Sequence, residues 1–516
     1  MTISGVGGRT SYIGSGILDL RSQLDTLTQQ LSSGKVSNTY AGQGSGRSLA
    51  ITLRSQISGI AGYADTAVNL NTRIGVANLS LQRLVDIGSS VKGAAVSAGT
   101  TLDNTGQTAG QKTASLGFFD SVDMLNARSG DRYLFSGRAT DTAPVTAANV
   151  IMDGDGVKDG LKKVIANRAE ADLGTAKMGR LTIATPALTP SVVTIAEDAS
   201  PSAFGMKLTH VDSTLTGSTV SGPTGTPAAI SVDLGTTNPN PGDKVKFTFT
   251  LPDNTTETIE MTAVAPGTTP LPDNSFEIVV GTPPTDTSGT AANLNAALTT
   301  SVSALAKGPM VAASAIAAGD NFFDSPPMRV GPGGAAATTL VDGSATTVSW
   351  YNGEANDTSL NGSARGSAVA QIDQSITVQY GARADEQALR AQLQTVAVFA
   401  AFSIDVTNLA TDPAVAKNAG AQVTALNQRV AQNLATVPGT QSIQDIQADF
   451  AGASVSIKST TDRQVQTKAI SETLLDSIEG INDDEVATKI LALQTALQAS
   501  YQTTSTLYQM SLVKFL

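Results

Sequence analysis

Apolar positions recur at steps of three and four at both ends of this chain, and alternate with polar ones only in its middle. Ile13, Ile17, Leu20, Leu24, Leu27 and Leu31 are spaced four, three, four, three, four. Toward the other end Ile490, Leu493, Leu497, Tyr501, Thr504 and Leu507 run in similar steps. A period near 3.5 residues sets each group on one stripe of a helix, as a coiled-coil seam requires. Asn482 stands ahead of the second stripe with Glu485 three residues on, the spacing of a capping box. Between Lys489 and Lys514 there is no charge, and the face opposite the stripe is Gln, Thr and Ser. Such a helix is marginal alone and needs a partner helix, which the N-terminal stripe can supply. The first helix is expected over about Tyr12 to Val36, with Gly5 to Thr10 mobile until assembly and a loop at Tyr40 to Gly46.

A longer stripe follows at Leu49, Leu53, Ile57, Ile60, Ala64, Ala67, Ile74, Ala77, Leu81, Leu84 and Val91. It predicts some fifty residues of helix, roughly 75 Å if unbroken. Gly59, Gly62, Gly75 and Gly88 each weaken that helix by about 1 kcal/mol relative to Ala, so it needs tertiary support. Leu116, Phe119, Val122 and Leu125 mark a third helix, about Gln107 to Asn126. Beyond the middle, Leu389, Leu393 and Val396 start a helix reaching about Leu409. Asp412-Pro413 reads as an N-cap followed by proline at the first helical position. Val423, Leu426, Val430 and Leu434 continue the stripe to a break at Pro438-Gly439, and Ile443, Ile446, Phe450 and Ile457 open the last long tract.

Between these helical ends the pattern turns to period two. Val245, Phe247, Phe249 and Leu251 alternate with polar residues, Pro252 to Asn254 turns the chain, and Thr256 to Val264 returns as a hairpin partner. Phe276 to Val280 and Thr346 to Tyr351 are further strand candidates, Ala291 to Lys307 is one amphipathic helix, and Asn352-Gly353 and Asn361-Gly362 mark turns. A strand at Ser375 to Gly381 is expected to pair with Tyr133 to Phe135 and close the neck of an insertion. The fold expected is α+β: a long antiparallel α-helical coiled-coil bundle built from both termini, with an inserted mainly-β (α+β) domain. The segments are 1–45 with 480–516 as a terminal helical core, 46–139 with 374–479 as a helical rod, and 140–373 as the insertion. Removing Gly156 to Ser367 should then leave the helical part able to assemble. Spacing alone weighs equally for an ordinary helical bundle.

Composition narrows the function. The chain has 516 residues, 4% aromatic and 15% charged, with a net charge of −11. That balance disfavours nucleic acid and anionic membranes as partners. It has no cysteine, hence neither disulfides nor thiolate chemistry, and one histidine, His210. The inventory lacks a His-Glu-x-x-His zinc pattern, a Cys/His pair and a supported Ser/His/Asp order, so no enzyme, cofactor or metal site is expected. Asp153 to Gly156 lacks the spaced ligands of a calcium loop, and Gly331 to Gly334 lacks the Lys-Ser/Thr of a phosphate loop. Asp483 to Glu485 suits a helix N-terminus. Met1 to Gly16 is polar, so no signal peptide is expected, nor does any run read as a transmembrane helix. These observations alone would suggest a cytoplasmic protein.

Three segments point elsewhere. LTQQLSSGKVSN (Leu27 to Asn38) resembles the Ser-Ser-Gly-Lys/Arg-hydrophobic-Asn signature of bacterial flagellins. LQTALQASYQTTSTLYQMSLVKFL, ending on an apolar residue, resembles the C-terminal helix of that family. RSGDRYLFSGRATDTAPV (Arg128 to Val145) is most similar to the hook–filament junction branch, the hook-associated proteins of type 3. Leu81-Gln82-Arg83 resembles the start of the family's axial-packing patch, although Leu84 to Gly88 departs from it, as the Tyr40 loop departs from the family's Asp-Asp stretch. About half the chain is covered. The resemblance implies a structural axial subunit, exported unfolded through the flagellar type III channel to the cell exterior. Implied partners are copies of itself, other flagellin-family axial proteins and an export chaperone, without membrane insertion. The alternatives are a secreted coiled-coil adhesin or type III translocator-like protein, and an enzyme carried on a flagellin scaffold.

Overall fold

The computed structural model describes residues 4–97, 99–199, 201–354 and 363–513, the side chains of 4–11 and 511–513 aside. The expected turn at Asn361-Gly362 lies outside them. In chain order the elements are α1 (Ser4–Ser33), α2 (Arg47–Ser97), α3 (Ala109–Leu125), β1 (Arg128–Ser129), β2 (Arg132–Tyr133), α4 (Ala148–Asp153) and α5 (Leu161–Leu173). Strands β3 (Leu181–Ala184), β4 (Val192–Glu197), β5 (Lys207–Ser213), β6 (Thr219–Thr224), β7 (Ala229–Asp233), β8 (Lys244–Thr250), β9 (Thr256–Val264) and β10 (Ser275–Glu277) follow. Then come α6 (Ser288–Lys307), α7 (Pro309–Phe323), β11 (Met328–Val330), β12 (Leu340–Asp342), β13 (Val369–Asp373) and β14 (Ile376–Gln379). The chain closes with α8 (Gln387–Ala401), α9 (Pro413–Asn433), α10 (Ile443–Glu479) and α11 (Asp483–Val513). Helix and sheet are thus combined in one α+β chain. It divides into two compact units: Met1–Asn71 with Ala370–Val378 and Ala453–Leu516, and Thr72–Val369 with Gln379–Gly452.

In the first unit α1 packs on α11. Gly5 to Thr10 belong to α1, which starts at Ser4 instead of after a mobile lead. It ends where Gly34 takes a left-handed φ of 68° and donates its N–H to the Gln30 carbonyl at 2.8 Å, the stop that glycine permits without a Cβ penalty. The backbone then clasps the end of α10. Lys35 bridges Gly480, Val36 N–H donates to the Glu479 carbonyl at 2.8 Å, and Ile481 N–H donates to the Gly34 carbonyl. Asn482 accepts from the Glu485 N–H at 3.2 Å as a cap. The Glu485 carboxylate pairs with Lys489 at 2.6 Å. β13 and β14 pair with each other, and Gln464 Nε2 donates to the Ile372 carbonyl at 2.7 Å.

The second unit holds two four-stranded sheets, ordered β3-β4-β7-β6 and β10-β9-β8-β5. The anticipated hairpin is β8–β9, with Phe247 opposite Ile259 and Asn254 turning at φ 62°. Its alternation buries Val245, Phe247, Phe249 and Leu251. Both sheets share one core with Leu294, Leu298 and Val302 of α6 and Met310 of α7. α7 is Ala-rich and buried along nearly its whole length against α5, α6, α8 and α9. Ser288–Phe323 is long and apolar enough to cross a membrane by length and composition, yet its most apolar window is 67% buried inside the fold. A helix buried on all sides shows no stripe, which is why α7 was not anticipated and the insertion read as mainly β.

Several expectations need correcting. The compact units do not follow the 140–373 division: α7 ties the insertion to α8 and α9, and α3 packs on α8. Thr346 to Tyr351 forms isolated bridges to Val145 and Asp159 instead of a strand, with Trp350 buried and its Nε1–H donating to the Phe323 carbonyl at 3.1 Å. α8 stops at Ala401, short of Leu409. Phe135 to Gly137 meets Ala382 to Ala384, one step beyond the expected strand: Ser136 bridges Arg383, and Ala384 N–H donates to the Phe135 carbonyl at 2.8 Å. In α3, capped by a full Thr108–Gln111 box, the buried ring is Phe118, while Leu116 and Phe119 face outward.

Candidate assembly seam

The sequence-derived seam lies on α1 and α11, and its residues are not equally covered. Ile13, Ile17, Leu20, Leu24 and Leu27 are half-buried, Leu31 is exposed, Ile490 and Leu493 are half-buried, and Leu497 is 7% exposed. Tyr501 and Leu507 point outward at 52% and 42% exposure. The covered line on α11 runs Val486, Ile490, Leu493, Leu497, Ser500, Thr504, in steps of four and three. The sequence reading took a step of four from Leu497 to the larger side chain. Packing takes the step of three, so a small hydroxyl sits on the seam and the aromatic ring lies outside it. The signal for this was present in the unbroken 4-3-4-3-4 phase itself.

At the far end of this seam one buried carboxylate gathers three segments. Glu479, 5% exposed, accepts from Gln43 Nε2 at 2.9 Å and from Arg54 Nε and Nη2 at 3.0 and 2.5 Å, with Lys35 Nζ at 4.0 Å. Hydrogen bonds from Arg54 hold its carboxyl below the usual glutamate range. Arg54 also lies over the Tyr40 ring, 5.7 Å from its centroid. The Leu27–Asn38 motif therefore has a physical part to play here: its glycine stops α1 and its lysine and valine clasp the Glu479–Gly480 corner.

Elsewhere along the same unit, apolar side chains stand in water. Leu18, Ile51, Val68, Val455, Val465, Ile470, Leu491, Tyr508 and Met510 are all exposed. The residues buried in this unit, such as Leu53, Leu70, Ile457, Val486 and Leu497, make a thin core by comparison with the sheet-and-helix core of the second unit.

Of Leu81, Gln82 and Arg83, all in the second unit, Leu81 is fully buried and unavailable to a partner. Gln82 and Arg83 are exposed; Arg83 Nε donates to Asp120 at 2.7 Å and Gln82 Nε2 to Asp86 at 3.0 Å. His210 is exposed on β5, 3.0 Å from Asp212. Asp155 accepts from the Val157 and Lys158 N–H groups, a local turn. Among the described residues no three His, Asp or Glu side chains converge as metal ligands would. No protein-family model matches the chain, and no curated protein sequence does.

Proposed function

We propose that this chain is a structural, self-assembling axial subunit of the bacterial flagellum, with the hook–filament junction favoured over the filament. The observation that carries the reading is the state of the first unit. Its terminal helices pair through a charge-poor seam that stays half-open, and apolar side chains on α1, α2, α10 and α11 are left to water. Burial of such a surface in an assembly is favourable at about 25 cal/mol per Å² of apolar area. In this reading the helices from both ends extend into an antiparallel coiled-coil bundle completed by neighbouring subunits. The partners are other copies of the chain, related axial proteins and an export chaperone, and the site of action is the extracellular flagellum. The three sequence resemblances support the same reading, and the net charge of −11 would keep monomers apart before assembly.

The test is electron microscopy of a strain lacking the protein. Hooks without filaments are expected for a junction subunit. Complete, motile flagella together with lost surface attachment would replace this reading with the adhesin one.

A further inference from the structure

Arginines inside the second unit follow a rule. Arg168, Arg180, Arg365, Arg383 and Arg429 are buried, and each is paired with a carboxylate: Asp172, Asp198, Glu386, Asp385 and Asp253. Outside that buried set, Arg73 is half-buried and Arg132 exposed. Arg73 on α2 and Arg132 on β2 have no carboxylate partner among the described residues, and both line one cleft of about 280 Å³. Arg138 lines it too, with Glu354 3.5 Å from its guanidinium. None of the cleft's lining residues is an Asp or Glu, although the chain carries 44 acidic and 33 basic residues.

The walls are set in place. Arg73 Nη1 donates to the Tyr380 hydroxyl at 3.2 Å. Tyr133, another wall residue, carries the Arg128 guanidinium 4.9 Å from its ring centroid, which adds positive potential. Gly381 is packed so closely that a Cβ there would meet Ser367 Oγ and the Ala364 carbonyl, so only glycine lets the backbone approach at that side of the cleft. Ile74, Ala77, Ala382 and Phe450 add apolar surface to the lining, and charge attraction strengthens where such surface lowers the local dielectric.

We infer that this cleft is a binding site for a small polyvalent oxyanion bearing carboxylate or phosphate groups. Guanidinium forks match the planar or tetrahedral oxygens of such groups, and the Tyr380 hydroxyl offers a further polar contact. The volume admits an anion the size of citrate or inorganic phosphate. The site is independent of the assembly reading, because it lies wholly within one unit of one chain.

The experiment is isothermal titration calorimetry on the full-length monomer with citrate and, separately, inorganic phosphate, at low salt and with chloride as the matched control. Saturable 1:1 binding of either anion is expected, weakening as salt rises. R73Q/R132Q should lower the affinity at least tenfold, with R73K/R132K recovering part of it and circular dichroism unchanged in both. Should the glutamine pair disturb the fold, R132Q alone, at an exposed position, is expected to give a measurable loss. Absence of binding tighter than about 5 mM for both anions overturns the inference, as does an affinity unchanged in R73Q/R132Q. All readouts are on the monomer, so a failure of assembly leaves them intact.

Discussion

Leu497 and Leu507 lie ten residues apart on one helix, yet their burial separates two roles. Leu497 is 7% exposed against α1, and the chain offers no basic residue between Lys489 and Lys514 to pair a new charge. Leu497→Asp is expected to cost about 3 kcal/mol or more in the monomer, read as early proteolysis of both termini and a lower melting temperature. Leu507, 42% exposed, has little packing to lose, so Leu507→Asp should leave monomer stability within about 0.5 kcal/mol. If the proposed assembly is right, it should nevertheless block polymerisation in a sedimentation assay. Glu479 carries the pH prediction. Its carboxyl is held below the ordinary glutamate value of 4.5 by Arg54, so its contribution is fully present above pH 4.5 and is lost as pH falls through the lower folded value. Hydrogen-exchange protection at Val36 and Ile481 should therefore fall as pH drops below 4.5 in the native chain, whereas Glu479→Gln should show weaker protection at neutral pH and little of that pH dependence.

At the scale of elements, phase decides what a hydrophobic residue does. In α3 the sequence stripe put Leu116 and Phe119 inward, but the helix buries Phe118, Val122 and Leu125, with Gly117 close against Ile87 and Val91. Phe118→Ala should cost about 3–5 kcal/mol in denaturant unfolding, whereas Phe119→Ala should cost under about 1 kcal/mol. Equal effects from the two would mean the helix is rotated from the arrangement described. The fully apolar α7 and the amphipathic α6 show the same limit from the other side. Periodicity reveals a helix that is wet on one face; α7 is dry on every face and leaves only a run of alanines to read.

For the whole molecule, the consequence concerns deletion of the insertion. Sequence alone suggested that Gly156 to Ser367 could be removed and the helical part would still assemble. The segment includes α7, on which α8 and α9 pack, with Val398 of α8 against Gly319 of α7, and the removal would bare the faces of α8 and α9 that α7 covers. The deleted chain is therefore expected to lose the folded α8–α9 region and to bind a hydrophobic dye such as ANS. A soluble, cooperatively melting deletion variant would show that α8 and α9 are held by other contacts.

Sequence by itself determined the long helices, the Asp412 cap, which accepts from the Ala414 N–H, the β8–β9 hairpin, and the α1 stripe to Leu27 and the α11 stripe to Leu497, because these depend on local periodicity and capping, which neighbouring residues fix. It also marked Leu27 to Asn38, although the reason for that motif, a glycine stop followed by a clasp on Glu479 and Gly480, needed the partner segment hundreds of residues away. Tertiary structure alone decided which of two apolar neighbours faces inward, that β14 pairs with β13, and that α7 joins the insertion to α8 and α9. It also decided that Arg73 and Arg132 share a cleft free of carboxylates. Each of these is a choice among packings with nearly equal local energy, and it is settled by contacts between segments far apart in the chain.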